Sequence, residues 1–255
     1  MLAPADRKKI GRAMADYDML TDGDRVLVAV SGGIDSLVLA RVLQLWLQKA
    51  PISYEVHAVH VDMQPKGDLP GVVALHVRTV LARFSIPCAI LPAAWSLDEA
   101  EVARRGKKDV CFKCARSRRT QLFAHARRHR YSLLAMGHHR DDIIETFFLN
   151  MLHAGNLSTM APKQVLFSGR LALIRPLAYL SKEEVARLGR RLSLDSIRSN
   201  CPLSEQTARK QVGLIVTSLA EHVPRARENI FAALGNLRPE YLLDPAYRKE
   251  HADRS

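Results

Sequence analysis

The segment RVLVAVSGGIDS, residues 25–36, decides the fold of this chain. Residues 25–30 form a short apolar run that is typical of a buried parallel strand, and the run ends at a serine and two glycines. The apolar pattern of residues 35–47 then predicts a helix. A strand, a glycine turn and a helix in this order predict an α/β sheet that binds an anion where the helix begins.

The alternation of strands and helices continues along the chain. Further strands are predicted at residues 54–61, 87–91 and 132–136. Further helices are predicted at residues 71–84, 111–129 and 141–152. This alternation predicts a doubly wound parallel sheet of the Rossmann-like α/β class, covered by helices on both faces.

The last third of the chain has a different pattern. Residues 165–174 are compatible with a hairpin around Ser168 and Gly169. More helices are predicted at residues 181–192, 206–221 and 225–234. We therefore expect a core at residues 1–180, with a basic helix inserted in it, and a helical C-terminal region at residues 181–255.

The composition limits the classes of partner. The 255 residues include 38 Lys+Arg and 26 Asp+Glu, giving a formal net charge of +12, and 47% are hydrophobic. That hydrophobic fraction excludes wholesale disorder, and the charge predicts a polyanionic partner such as a nucleic acid. No apolar run approaches the roughly 20 residues of a membrane helix, and the first residues lack the apolar core of a secretory signal. We expect a cytoplasmic protein without a membrane partner.

Positive charge is concentrated in residues 104–130, here called the basic stretch. Asp109 is its only carboxylate, so the cations repel one another without local compensation. An RNA or DNA backbone would compensate them; the alternative is a solvated helix face. The residues expected to bind RNA are Arg104, Arg105, Lys107, Lys108, Arg116, Arg118 and Arg119. The stretch also contains Lys113, Arg127, Arg128 and Arg130.

Residues 31–36, the phosphate loop, have the composition of an anion site. Gly32 and Gly33 allow positive φ and a close approach of the backbone to a ligand, while Ser31 and Ser36 add hydroxyl donors. The carboxylate of Asp35 would repel a phosphate unless Mg²⁺ bridges them. The patterns of Walker ATPases and dinucleotide folds are both absent from the sequence. The alternative is a plain serine-capped helix start after a glycine turn.

Two cysteines form a C-x-x-C pair, Cys111 and Cys114. In a cytosolic protein such a pair indicates metal or redox chemistry more often than a structural disulfide. A nearby helix N-terminus and basic neighbours are expected to favour the thiolate forms. A zinc site completed by a histidine such as His125 and a redox disulfide are the alternatives. Cys88 lies in a predicted strand and is expected to be a core residue.

The phosphate loop resembles the pyrophosphate-binding loop of the N-type ATP pyrophosphatases, or PP-loop enzymes. The segment GHHRDD, residues 137–142, is similar to a G-H-[HN]-x-D-D element of that superfamily. The resemblance implies that ATP and Mg²⁺ bind here, with Asp35 also catalytic. The implied nucleotide site comprises Ser31, Gly32, Gly33, Asp35, Ser36, His60, Gly137, His138, Asp141 and Asp142. Acidic capping of a helix is the alternative for the aspartates, and His60 is otherwise an ordinary strand histidine.

A narrower resemblance is to the tRNA 2-thiocytidine synthetases. It is carried by CFKCARSRR at residues 111–119, FFLNM at 147–151, RPLAY at 175–179, and Cys201 followed by RKQVG at 209–213. It implies that Cys111, Cys114 and Cys201 hold a catalytic [4Fe–4S] cluster with one iron free of protein ligands. It also implies ATP-dependent thiolation of C2 of cytidine 32 in tRNA, a sulfur donor such as a cysteine desulfurase, and a homodimer.

The chain departs from this family at two points. Ile34 stands where the family carries a lysine in the loop, and one cysteine stands near residue 201 where some relatives carry two. A thiouridine synthetase with the same cluster and a lysidine-type tRNA ligase are the enzyme alternatives. A non-catalytic nucleotide- or RNA-binding module with a zinc site is the alternative of another class.

Overall fold

The structure is a computed structural model that describes residues 2–95, 104, 106–197, 201 and 208–243; the side chains of Lys108 and Glu240 are outside this description. Of the residues expected to bind RNA, Arg105 lies outside the described residues. No helix in the described part of the chain is long and apolar enough to cross a membrane.

A single six-stranded sheet forms the centre of the described structure, in the order β3-β2-β1-β4-β6-β5. The strands are β1 (Asp24–Ala29), β2 (Tyr54–Asp62), β3 (Cys88–Pro92), β4 (Leu133–Ala135), β5 (Lys163–Leu166) and β6 (Leu171–Ile174). Five strands are parallel, and β5 pairs with β6 in the antiparallel direction. The strand predictions and the hairpin at residues 165–174 are therefore confirmed, as is the α/β class.

The helices are α1 (Pro4–Asp16), α2 (Ile34–Leu47), α3 (Val72–Ala82), α4 (Lys107–Arg128), α5 (Arg140–Ala154), α6 (Lys182–Arg191), α7 (Ala208–His222) and α8 (Ala226–Ala233), with a 3-10 turn at Pro239–Tyr241. The first of them, α1, was not predicted. Helix α4 begins at Lys107, four residues before the predicted start at residue 111. The other helices lie where the sequence places them.

The two faces of the sheet are covered differently. Alternate strand residues such as Val26 and Val28 pack in one apolar cluster with α1, α2, α3 and α6. On the other face, Leu27 packs in a second cluster with Leu122 and Ala126 of α4. Among the described helices, α4 alone contributes buried residues to this second cluster. Its outer side therefore carries the basic stretch away from the sheet.

The topology brings two loops to one edge of the sheet. The phosphate loop follows β1, and the turn at residues 137–139 follows the adjacent parallel strand β4. The chain moves outward from β1 to β2 and β3, and then returns to the other side of β1 with β4. Ligands of such sheets bind at the carboxyl ends of the strands where the order reverses, which here is between β1 and β4.

Candidate active site

The phosphate loop is held in shape by its own hydrogen bonds. Gly32 has a φ of +92°, which favours glycine. The buried Ser36 hydroxyl donates to the carbonyl of Gly33 at 2.8 Å and accepts from the backbone N–H of Ser31 at 3.1 Å. The Ser31 side chain remains exposed. The loop thus has a fixed backbone with an accessible hydroxyl at its entrance.

The turn after β4 packs directly on the phosphate loop. A Cβ atom on Gly137 would lie 2.9 Å from the carbonyl carbon and oxygen of Asp35 and 2.9 Å from the backbone nitrogen of Ser36. Real Cβ atoms essentially never approach other atoms more closely than 3.0 Å. Glycine at position 137 is therefore what allows the two loops to touch.

Asp35 belongs to a group of charged residues beside the loop. Burial raises the pKa of Asp35; the nearby His139 lowers it, Asp142 raises it and Lys182 lowers it. Burial also raises the pKa of Glu145, and Asp142 acts in the same direction. A raised pKa means that the surrounding protein does not fully balance the negative charge of the carboxylate. A divalent cation bound at Asp35 and Asp142 would balance that charge.

His139 and Asp142 form the capping box of α5. The backbone N–H of His139 donates to Asp142 Oδ2 at 2.9 Å, and the backbone N–H of Asp142 donates to His139 Nδ1 at 3.4 Å. Arg209 Nη1 lies 3.7 Å from the other carboxylate oxygen, Asp142 Oδ1. The capping interpretation thus holds for Asp142, whose position beside Asp35 also leaves it near the loop.

Both carboxylate oxygens of Asp141 bind other parts of the protein. It is buried, and its Oδ2 accepts from the backbone N–H of Lys182 at 2.8 Å. Its Oδ1 forms an ion pair with Arg227. These contacts join α5 to the starts of α6 and α8. Because both oxygens have protein partners, Asp141 fits a structural role better than the nucleotide-binding role expected for it.

His138 is held neutral beside an arginine. Arg175 Nε donates to His138 Nδ1 at 3.2 Å. Burial lowers the pKa of His138 to about 4, partly opposed by Asp142. Burial also lowers the pKa of Arg175, and Arg119 of α4 lowers it further. The basic stretch therefore reaches the carboxyl edge of the sheet at Arg119.

His60 offers a buried acceptor at the end of β2. Its Nδ1 donates to the carbonyl of Val30 at 2.7 Å, which leaves Nε2 as an acceptor. Nε2 is buried and has no partner among the described residues. Burial lowers the pKa of His60, and Arg118 contributes in the same direction. A buried acceptor without a partner is costly, so the expectation that a ligand meets His60 fits the structure.

The three predicted ligand cysteines are near enough for Cys114 and Cys201 to act electrostatically on Cys111. Cys111 and Cys114 are the fifth and eighth residues of α4 and are half-buried, whereas Cys201 is exposed. Burial raises the pKa of Cys111, and Cys201 and then Cys114 raise it further. The expectation of a lowered Cys111 pKa is wrong, because burial and the two neighbouring cysteines outweigh Arg118, the basic neighbour that lowers this pKa.

The described residues do not favour a single-ion site at these cysteines. No three His, Cys, Asp or Glu side chains among them are placed to hold one metal ion. His125 lies 11 residues beyond Cys114 in α4, or about 16 Å along the axis. Its ring contacts those of His129 and Tyr131 instead, so it does not complete a zinc site. Cys88 is half-buried in β3, and burial raises its pKa to about 11, as expected for an inert core thiol.

Ile34 points towards helix α6 and the core. A Cβ atom on Gly189 of α6 would lie 2.4 Å from Ile34 Cδ1, so the isoleucine packs flat against this helix. Ile34 also belongs to the margin of the large core cluster. The loss of a loop cation is therefore accompanied by a gain in packing between α2 and α6.

Sequence reasoning missed several residues of the site, namely Glu145, Arg175, Lys182 and Arg209. Arg175 and Arg209 lie in the segments 175–179 and 209–213 that carry the family resemblance, which was the available signal. Lys182 had no such signal, because its place beside Asp35 depends on the contact between its backbone and Asp141. It brings a cation close to a loop that lacks its own.

The described residues that are expected to bind RNA lie along α4 and just before it. The described ones with visible side chains are all exposed: Arg104, Lys107, Arg116, Arg118 and Arg119. Arg118 and Arg119 lie close enough to the carboxyl edge to lower the pKa values of the buried His60 and Arg175, respectively.

Comparisons with known proteins agree with this geometry. A family model described as the PP-loop domain matches residues 3–210. The tRNA-cytidine(32) 2-sulfurtransferase of Xanthomonas axonopodis pv. citri (strain 306) is 36% identical over 240 residues, which cover 93% of this chain and 77% of that protein. The protein of the same name from Geotalea uraniireducens (strain Rf4) is 33% identical over 240 residues, 93% of each chain.

A solved structure shows the same fold. The U34-tRNA thiolase NcsA from Methanococcus maripaludis, solved with its [4Fe–4S] cluster, superposes with a TM-score of 0.71 and 23% identity. The match covers 90% of this chain and 77% of that one. On the phosphate loop, its docking to the turn after β4, and these matches, the chain belongs to the PP-loop family and, within it, to the family of the tRNA-cytidine(32) 2-sulfurtransferases.

Proposed function

We propose that this chain is an ATP-dependent tRNA sulfurtransferase that converts cytidine 32 of a tRNA into 2-thiocytidine. The observation that carries the proposal is electrostatic proximity: Cys201 and Cys114 act on the pKa of Cys111, while Arg118 and Arg119 of the same helix act on the pKa values of His60 and Arg175 near the phosphate loop. This proximity supports a protein in which a nucleotide-activating loop and a group of soft donors act on one bound RNA.

The phosphate loop would bind ATP. The backbone N–H groups of Gly32 and Gly33, with the hydroxyls of Ser31 and Ser36, suit the phosphates at the start of α2. Asp35 and Asp142 carry the oxygen ligands that Mg²⁺ prefers. The remaining pocket residues in the proposal are His60, Gly137 and His138, with Asp141 in the supporting role described above.

Activation of the base follows from this placement. The cytidine O2 attacks the α-phosphorus of ATP, the bond from that phosphorus to the pyrophosphate oxygen breaks, and pyrophosphate leaves. The base oxygen then carries AMP, which is a far better leaving group than the original oxygen. Lys182 and Arg175 are the nearby cations that would stabilise the charge that develops on the phosphates.

Cys111, Cys114 and Cys201 would hold a [4Fe–4S] cluster. Soft thiolates are the ligands that such clusters require, and each thiolate binds its own iron, so the three need not converge on one point as zinc ligands do. When bound, the cluster supplies the sulfur that replaces AMP on the base. Three protein ligands leave one iron open for this chemistry, as in other catalytic metal sites.

The wider assignment concerns partners and organisation. The basic residues Arg104, Arg105, Lys107, Lys108, Arg116, Arg118 and Arg119 would bind the tRNA backbone. We also propose a cysteine desulfurase as the sulfur donor, a homodimer and a cytoplasmic location. The core at residues 1–180 would supply the ATP chemistry, and residues 181–255 would supply Cys201. The two regions are packed together, since Val185 and Leu188 of α6 are buried in the core cluster.

Nucleoside analysis tests this function. Anaerobically reconstituted protein is incubated with an unmodified tRNA transcript, ATP, Mg²⁺ and sulfide, and the digested tRNA is examined by mass spectrometry. We expect 2-thiocytidine and ATP-dependent pyrophosphate release. A thiouridine product would replace the cytidine assignment, and pyrophosphate release without any sulfur in the tRNA would favour a ligase.

A matched pair of cysteine variants tests the sulfur route. Cys201→Ala is expected to keep ATP binding and to abolish thiolation. Cys88→Ala, which removes a thiol from the core strand β3, is the control and is expected to thiolate normally. Retained thiolation in Cys201→Ala would remove this residue from the mechanism.

A further inference from the structure

A cavity lies far from the phosphate loop. It has a volume of about 690 Å³ and opens between the last turns of α4 and the β5–β6 hairpin. Its principal lining residues are three arginines and three aromatic residues: Phe123, Arg127, Arg130, Tyr131, Phe167 and Arg170. Tyr131 precedes β4 and Leu171 begins β6, so the cavity is at the amino edge of the parallel strands, opposite the proposed ATP site.

The cavity carries uncompensated positive charge. Arg127, Arg130 and Arg170 are exposed, and none of the three forms an ion pair with another residue of the described ranges. Arg170 Nε donates a hydrogen bond to the carbonyl of Phe167 at 3.0 Å, within the β5–β6 hairpin, and this bond does not neutralise its charge. Among the residues that the structure describes, no carboxylate lines the cavity. An anion is therefore the expected occupant, since nothing described in the protein neutralises the guanidinium groups.

The aromatic residues provide flat apolar walls. Phe123 and Phe167 meet edge to face with ring centroids 5.4 Å apart, and Phe167 is 51% exposed. The ring of Tyr131 is fixed from behind, with the Arg25 guanidinium 5.0 Å from its centroid. Aromatic faces and arginine planes are the surfaces on which proteins stack unpaired bases. The volume lies within the usual range for small-ligand sites, about 300–1,000 Å³.

We infer that this cavity holds an unpaired nucleotide of the RNA substrate, at a point distant from the reacting base. Arg127 is 13 residues beyond Cys114 in α4, about 20 Å along the helix axis. The cationic surface runs along α4 between the two points, a distance that a polymer can span and a free nucleotide cannot. The inference rests on the proposed function for the identity of the RNA, and it adds a second anchor that fixes the tRNA relative to the cysteines.

Binding of a full-length tRNA transcript tests the anchor. The triple variant R127Q/R130Q/R170Q is compared with R78Q/R190Q/R191Q, which removes three exposed arginines from α3 and α6 on the other face of the sheet. We expect about tenfold or greater loss of tRNA affinity in the first variant and a change below about twofold in the second. The slope of log affinity against log salt should fall by about 2 only in the first.

A second variant keeps the test independent of charge. Phe167→Ala removes an exposed ring and is expected to weaken tRNA binding about fivefold or more, with an unchanged salt slope. ATP affinity without RNA should stay at the wild-type value in both variants, because the cavity and the phosphate loop are at opposite edges of the sheet. Circular dichroism and thermal unfolding confirm that each variant is folded.

Several results would overturn the inference. One is a folded triple variant that binds tRNA as the control does. Another is equilibrium dialysis that finds two ATP molecules per wild-type chain and one in the triple variant, which would assign the cavity to a free nucleotide. A third is loss of self-association in the triple variant at unchanged tRNA affinity. Failure of the proposed function is separate, since it appears as absent thiolation in the wild-type protein whatever the tRNA affinities are.

Discussion

Replacing Gly137 with alanine tests the contact between the turn after β4 and the phosphate loop. The added methyl group would lie 2.9 Å from three backbone atoms of Asp35 and Ser36. Backbone cannot rotate away as a flexible side chain can, so one of the two loops must move. Because the turn is anchored to the start of α5 through the His139–Asp142 capping box, we expect the phosphate loop to be displaced.

The magnitude follows from the cost of overpacking. Inserting one methyl group into a tight contact costs about 1–3 kcal/mol. If this cost is imposed on the ATP-binding form of the loop, ATP affinity falls about 5- to 150-fold. The free energy of unfolding should fall by about the same 1–3 kcal/mol.

The assay measures ATP affinity by calorimetry and stability by urea unfolding. Gly155→Ala is the control: Gly155 ends α5 with a φ of +62° and has no atom within 4 Å of an added Cβ. Strain at that φ should lower stability by about 1 kcal/mol without affecting ATP. Wild-type ATP affinity in a folded Gly137→Ala protein would refute the packing argument.

Three further predictions concern charge and packing. Arg227→Met leaves the buried Asp141 without its ion-pair partner and should lower the free energy of urea unfolding by about 3–5 kcal/mol; a loss below 1 kcal/mol would contradict this. Ile34→Lys places an ammonium group against Gly189, and we expect about 1–3 kcal/mol of destabilisation and no gain in ATP affinity; tighter ATP binding would show that residue 34 faces the phosphates. The pKa of His138 is about 4 in the folded protein, against 6.5 as its ordinary value. Between these pH values the unfolded state therefore binds a proton at His138 that the folded state does not. Stability should therefore fall from pH 6.5 to pH 4, by at most about 3 kcal/mol from this residue, and His138→Asn should reduce the slope; an equal slope in both proteins would exclude His138 as its source.

Local patterns were sufficient to predict the sheet and the phosphate loop. Residues 25–36 carry their own strand, turn and helix signals, and three later strands, β3, β4 and β6, are short apolar runs. Helix α1 was missed because its buried apolar residues, Ile10, Ala13 and Met14, are few among many charged ones. Helix α4 begins early because a single buried residue, Val110, anchors a first turn that is otherwise polar.

Long-range contacts account for what the sequence could not predict. The structural role of Asp141 depends on its ion pair with Arg227. Arg227 is distant in the chain and is brought near by the packing of α8 on α5. The insertion of β6 beside β4 likewise depends on the whole sheet, although the hairpin itself was predictable. The Cys111 pKa is raised by burial and then by Cys201, so its rise could not be derived from the C-x-x-C pair and its basic neighbours.

The central claim is that three cysteines hold an iron–sulfur cluster for transfer of sulfur to tRNA. The most direct test is iron and sulfide analysis, with a visible absorption spectrum, on anaerobically purified wild-type protein. We predict a brown, oxygen-sensitive protein with about four irons per chain. A protein that stays colourless after reconstitution and contains zinc or no metal would contradict the claim.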